Sequence, residues 1–253
     1  MRATFLYCLL SFLLVAQGST AQETNATSDT TPYRKNIIRY NLSGALIFGA
    51  DQYVVLGYER LLSHRQSISV NVGRISLPKL VSISTDSFHV EKDGKRSGVN
   101  LSIDYRFYLA SENKHHAPHG LYIGPYYSFN QFKNELEWQR KNSTATNSVT
   151  SNSKFSIHTI GFELGYQFIF WKRVALDLVL AGPGLGIYNY KATFDSNIDP
   201  ATKAQIVDGL KQALTQKFPG MNYVFSDEQI DANGVMRTST LGYRYIIHIG
   251  FNF

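Results

Sequence analysis

LGYRYIIHIGFNF, Leu241 to Phe253, decides the fold. Leu241, Tyr243, Tyr245, Ile247, Ile249, Phe251 and Phe253 share one parity, and Gly242, Arg244, His248, Gly250 and Asn252 share the other. Successive side chains of a strand point to opposite faces, so this segment is a β-strand with one apolar face and one small or polar face. Its thirteen residues suffice to cross a bilayer obliquely.

The same period of two recurs upstream. It predicts strands over 36–48, 53–62, 67–76, 97–109, 120–136, 155–170, 173–190 and 236–253. In one row Val99, Leu101, Ile103, Tyr105, Phe107 and Leu109 alternate with Asn100, Ser102, Asp104, Arg106 and Tyr108. Eight strands make the smallest common closed membrane barrel. The expected fold is therefore all-β, an eight-stranded antiparallel transmembrane β-barrel spanning 35–253. Connection lengths agree: Leu77 to Arg96, Glu137 to Lys154 and Lys191 to Val235 are long, whereas Leu62 to Gln66 and Trp171 to Arg173 are tight. Long connections at one end and short ones at the other imply that both termini lie on the short-turn, periplasmic side.

The 253 residues suit one domain. Residues 1–21 read as a secretory signal peptide, with Arg2, an apolar run from Phe5 to Ala16 and small residues before Gln22. Residues 22–34 read as a polar, disordered leader. The single cysteine, Cys8, falls inside the signal, which leaves the mature chain without a disulfide or thiolate chemistry. Beyond Ala21 no apolar run reaches the length of a transmembrane helix. A membrane crossing must then be made by a closed barrel, which leaves no unpaired backbone groups facing lipid.

Alternation alone fits two barrels: a soluble lipocalin-like one with its apolar face inward, or a membrane one with that face in lipid. The polar face separates them. It carries Gly57, Ser69, Asn71, Gly73, Ser102, Gly161, Gly165, Gly242 and Gly250 rather than the Lys and Glu of a water-exposed strand, and nearly every lysine falls in a connection. Aromatic residues gather toward strand ends, as at Tyr58, Phe107, Phe168, Phe170, Trp171, Phe251 and Phe253, in the manner of interfacial girdles. The apolar face is expected outward.

The stretches NLSGALIFGADQYVVLGYERLL, GLYIGPYYSF, GFELGYQFIFWKRVALDLVLAGPGLGIYNY and LGYRYIIHIGFNF resemble an uncharacterised outer-membrane β-barrel family, of domain-of-unknown-function type, from Bacteroidetes-type bacteria, alongside small OmpA/OmpW-like barrels. The resemblance implies a fold and an outer-membrane location, and no established activity. The last strand resembles the closing strand of such barrels, which makes Tyr245, Ile247, Ile249, Phe251 and Phe253 the candidate assembly signal. The implied partners are outer-membrane lipid and lipopolysaccharide, the barrel-assembly machinery and periplasmic chaperones. A monomer is expected.

Strand parity sends Arg39, Glu59, Asp104, Arg106, Glu163, Asp177, Arg244 and His248 into the lumen. Eight-stranded barrels are just filled by side chains, and buried charges persist only when paired. These residues are expected to form a salt-bridged plug; a narrow porin-like channel is the alternative. A lipid A-modifying enzyme is a second alternative, drawing on Ser153, Ser156 and His158 or on Asp86 and His89, although no spacing among them specifies a triad. The expected answer is a non-enzymatic protein without catalytic residues. The turn Lys114-His115-His116-Ala117-Pro118-His119 has imidazoles but no carboxylate or Cys at matching spacing, so no metal and no cofactor is expected.

One helix is expected, capped by Asp199 with Pro200 in its first turn and ending at Pro219-Gly220. It is read as a lid on the extracellular mouth, or as an interfacial helix whose Lys203 and Lys211 contact lipopolysaccharide phosphates. The net charge of +6 favours anionic glycolipid over nucleic acid, for which no motif is present.

Overall fold

The computed structural model describes residues 34–76, 88–140, 148–194, 199–217 and 235–253, and in segments 88–93, 140, 148 and 210–217 the backbone alone. The signal peptide, residues 22–33 of the leader and Asp86 lie outside the described residues. The chain runs β1 (Asn36–Asn41), α1 (Leu42–Phe48), β2 (Tyr53–Ser63), β3 (Gln66–Ile75), β4 (Phe88–Tyr108), β5 (Gly120–Arg140), β6 (Ser148–Phe170), β7 (Val174–Ala181), β8 (Pro183–Phe194), α2 (Pro200–Lys217), β9 (Val235–Tyr243) and β10 (Ile246–Asn252).

All pairings are antiparallel. The order β5-β4-β3-β2-β1-β10-β7-β6-β8-β9, with a further β5–β6 pairing, makes a ten-stranded sheet that closes on itself. The expected eight strands are corrected to ten because two long staves bend. β7 pairs with β6 along Leu164–Phe170 and β8 pairs with β6 along Ser151–Gly161, and only Gly182 separates them. β10 and β9 follow β7 and β8 in turn, separated by Arg244 and Tyr245. Leu180 to Gly182 oppose only Arg244 and Tyr245 between the pairs Val179↔Ile246 and Pro183↔Tyr243, an extra residue of the kind that bends a sheet. Arg244 N donates to Gly182 O at 2.9 Å, joining the two bends. Eight staves result, two of them kinked.

The first stave departs further from expectation. The strand predicted over 36–48 stops at Asn41, whose side chain accepts from Gly44 N at 2.9 Å and caps α1. Gly44 lies against the Tyr53 ring, where an added Cβ would fall 2.1 Å from the ring. The helix can seat there only because that residue has no side chain. α1 packs against β2 and β10. Beyond Tyr40↔Leu56, β2 has no pairing with β1, and among the described residues β9 pairs only with β8. The wall is thus interrupted between β2 and β9, with α1 in the seam.

The β3–β4 and β5–β6 connections are shorter than expected because the strands continue. β4 begins at Phe88, and β5 and β6 stay in register out to Gln139↔Ser148. Leu136 and Trp138 prolong the inward row and are buried, and Trp138 Nε1 donates to Ser151 Oγ at 2.7 Å.

Apolar residues face outward. Ile38, Leu56, Val72, Leu101, Ile103, Ile160, Phe162, Leu185, Ile247 and Ile249 are all exposed, which overturns a lipocalin-like interior. Both ends of the barrel domain meet at one end: Asn36 N donates to Phe253 O at 3.1 Å and Phe253 N to Asn36 O at 2.8 Å. The short turns lie at that end, with an aromatic band around it that includes stacked Phe168 and Phe170, Tyr166 and an 87% exposed Trp171.

Candidate functional site: an ion-paired barrel interior

The lumen is built by strand parity. Each of β1, β2, β4, β6, β7 and β10 brings one or two titratable or charged side chains inward to the same level, and the bend residue Arg244 adds another. Arg39, Glu59, Asp104, Arg106, Glu163, Asp177, Arg244 and His248 are all buried, none more than 9% exposed. All eight sequence-predicted lumen residues are therefore brought together.

Arg39 and Arg106 share the Asp177 carboxylate, each 2.9 Å from Oδ2. Arg39 also lies 3.2 Å from Asp104 and 3.6 Å from Glu59, and Arg106 lies 3.4 Å from Glu59. Arg244 Nη1 approaches Asp104 at 2.5 Å and Glu163 at 3.6 Å. His248 Nδ1 meets Asp177 at 3.2 Å. Every arginine bridges at least two carboxylates, so the network links strands across the lumen rather than pairing neighbours along one wall.

Uncharged residues complete it. Tyr122 OH donates to Asp177 Oδ1 at 2.6 Å, Tyr108 OH to Glu59 at 3.0 Å, Ser67 Oγ to Glu59 at 2.6 Å and Ser69 Oγ to Asp104 at 2.9 Å. Arg39 Nη2 also donates to Ser69, and Arg106 Nη1 to Gln167 Oε1 at 3.1 Å. The Arg106 guanidinium stacks on the Tyr122 ring at 4.3 Å. Sequence reasoning named the charges and missed most of this supporting set, although its inward parity was readable. Glu163 is the least satisfied member. Its oxygens lie 3.4 Å from Arg106 and 3.6 Å from Arg244, close enough to count as ion pairs, yet neither makes a hydrogen bond among the described residues. These contacts are electrostatic, because they lack the geometry of directed hydrogen bonds.

Toward the terminal end the network is backed by buried Leu61, Tyr108, Ala117 and Tyr122. Ala117 belongs to the His-rich turn and donates its N–H to His64 O at 3.1 Å. There His115 stacks on His119 and His116 lies against His64, with ring centroids 4.7 and 5.1 Å apart. Burial, and then the neighbouring His115, hold the His119 imidazole below its ordinary value. Among the described residues no three of His, Cys, Asp and Glu gather into a metal-binding group.

The other candidates are dispersed. His158 takes the outward parity of Ile160, with its Nδ1 2.8 Å from Tyr127 OH and its ring 4.7 Å from Phe129. Ser156 Oγ accepts from Gln131 and Ser153 Oγ donates to Asn134 O, each at 3.4 Å. The side chain of His89 lies outside the described residues, as does that of Lys211. Asp199 caps α2 as expected, accepting from Thr202 N at 2.9 Å. Ile206 and Val207 are buried, and Lys203 Nζ sits 5.9 Å from the Phe194 ring. Of the candidate assembly signal, Tyr245, Ile247, Ile249, Phe251 and Phe253 all face outward.

Fold and interior together define a small β-barrel, closed around its ion-paired level and interrupted at the α1 seam, with an apolar exterior. Among solved structures, the crystal structure of Acinetobacter baumannii CarO2 is similar to it, with a TM-score of 0.38 and 14% sequence identity over 87% of this chain and 97% of that chain. No protein-family model and no curated protein matches the chain.

Proposed function

We propose that this chain is an integral outer-membrane β-barrel protein of structural or surface-interaction type, monomeric, with both termini in the periplasm and its lumen sealed by salt bridges. The observation that carries this reading is the charge network itself, buried and crossing the lumen behind an apolar barrel wall. An apolar exterior on a barrel suits lipid, because the ladders satisfy the backbone internally. The turn-rich end that holds both termini fits the periplasmic side, and the resemblance to uncharacterised outer-membrane barrels supports the same location. Closure through the last strand, which pairs with β1, gives the barrel-assembly machinery and periplasmic chaperones their role as partners.

The reading is non-enzymatic. His158 engages Tyr127 on the outward face rather than a serine, so the geometry offers no base poised on a nucleophile there. A porin-like conduit would need a wet path through the level occupied by Arg39, Arg106 and Asp177.

Planar-bilayer recording of the purified barrel tests the plug. No conductance steps are expected from the wild-type protein. Ohmic steps would replace the plug with a channel. Outer-membrane fractionation tests the location, and recovery as a soluble periplasmic protein would overturn it.

A further inference from the structure

Above the charge network, away from the terminal end, lies a cavity of about 610 Å³. Its lining is mixed: Asn71 Nδ2 donates to Ser102 Oγ at 2.9 Å and Asn100 Nδ2 to Asn130 Oδ1 at 2.7 Å, Thr159 and Arg244 also line it, and Val55, Ile157 and Tyr188 add apolar surface. Tyr243 and Tyr245 line it too, although both belong to the outward-facing row and are 66% exposed. Outward residues border an inner cavity through their backbone or where the wall is open, and beside these two the wall is open. That place is the seam between β2 and β9, where Ile47 and Phe48 of α1 complete the border. The cavity therefore joins a chamber that carries polar groups to an apolar side doorway.

Arg244 supplies a recognition group. Nη1 is occupied by Asp104 and Glu163, whereas Nε and Nη2, the parallel donor edge that grips oxyanions in a bidentate fashion, find no hydrogen-bond partner among the described residues despite being buried. The Tyr126 ring lies 4.7 Å from the guanidinium and holds its plane. A buried donor pair without acceptors is costly, and an incoming oxyanion would satisfy both donors at once.

We propose that this cup binds a membrane amphiphile through an anionic headgroup, with the oxyanion on the Nε/Nη2 edge of Arg244 and the acyl chain leaving past Ile47, Tyr243 and Tyr245 to join the apolar outer surface. A chamber with a guanidinium and amide groups in its lining and an apolar side exit matches a molecule with one anionic end and one apolar end. A free solute would need no exit toward the apolar belt. The proposal rests on the membrane reading above. It can fail separately, since heat-modifiable migration of the same sample reports barrel insertion independently of binding.

The test uses the full barrel in uncharged dodecyl maltoside micelles, labelled with [15N]arginine, with the Arg244 Nε signal assigned through Arg244→Lys. Dodecyl phosphate, dodecanol and inorganic phosphate are the probes. Dodecyl phosphate is expected to shift the Arg244 signal saturably, with the other two weaker by about tenfold or more. Gly242→Trp supplies a variant outside the charge network: a Cβ there meets nothing closer than 3.5 Å, so the indole has room to fill the cup. It should weaken dodecyl phosphate by a similar factor. Equal binding of inorganic phosphate would overturn the amphiphile in favour of a solute. Equal binding of dodecanol would remove Arg244 from recognition. Absence of a shift, or unchanged binding in Gly242→Trp, would overturn the site.

Discussion

Asp177 and Glu163 occupy the same buried level with very different company. Asp177 is held by Arg39, Arg106, Tyr122 and His248, whereas Glu163 has two electrostatic contacts and no hydrogen bond among the described residues. Neutralising Asp177 strands two guanidinium contacts and a tyrosine hydroxyl; neutralising Glu163 strands little. Asp177→Asn is therefore expected to lower the urea midpoint of folding in liposomes by several times the effect of Glu163→Gln. Removing an arginine acts from the other side. Arg106→Met or Arg244→Met leaves buried carboxylates without their partner, a loss of roughly 3–5 kcal/mol where burial is complete. Lys203→Met, outside the network, should leave the midpoint in place. Equal midpoints for all three methionine variants would mean that the ion pairs do not hold the barrel together.

At the scale of elements, α1 exists because one cap and one glycine act together. Asn41→Ala removes the acceptor for Gly44 N and should cost about 1 kcal/mol. Gly44→Val drives a side chain into Tyr53 and should unseat the helix outright. Hydrogen exchange over 42–48 should rise modestly in the first variant and to the level of an unstructured segment in the second, with β1 and β10 protected in both. Exchange unchanged in Gly44→Val would show that the helix is held by something other than its seat on Tyr53. This element also marks where sequence reading stops. Alternation exposes strands such as β4 because each face meets a different environment, and Val99 to Leu109 can be read residue by residue. In LSGALIF the apolar residues are too dense for either period to win, so strand and helix look alike until the Asn41 cap and the Tyr53 contact are known. The bend between β7 and β8 left a fainter trace, in Gly182-Pro183, because proline cannot donate to a ladder and marks a strand's start. Its counterpart at Arg244 left none, since that break follows from a partner strand carrying one more residue. The charge network was legible as a set of inward charges. Its partners Tyr108, Tyr122 and Gln167 were less so, because a polar group that is neutral announces nothing until its acceptor is placed.

For the whole molecule, the deciding quantity is what surrounds the barrel. Ile103 lies midway along the outward row Val99 to Phe107 and is 43% exposed, between Val70 of β3 and Tyr127 of β5. In water, replacing a half-exposed isoleucine by lysine is nearly neutral or even helpful to solubility. In a bilayer the same change places a charge on the lipid face near the centre of the apolar band, a cost of roughly 2–4 kcal/mol that falls away toward the interfaces. Phe253→Lys, at the terminal rim of the same outward face, provides the interfacial comparison. Folding in liposomes should therefore lose its urea midpoint steeply in Ile103→Lys and only slightly in Phe253→Lys. Equal, small losses at both depths would mean that no lipid surrounds the belt, and the apolar exterior would then have to be covered by protein instead.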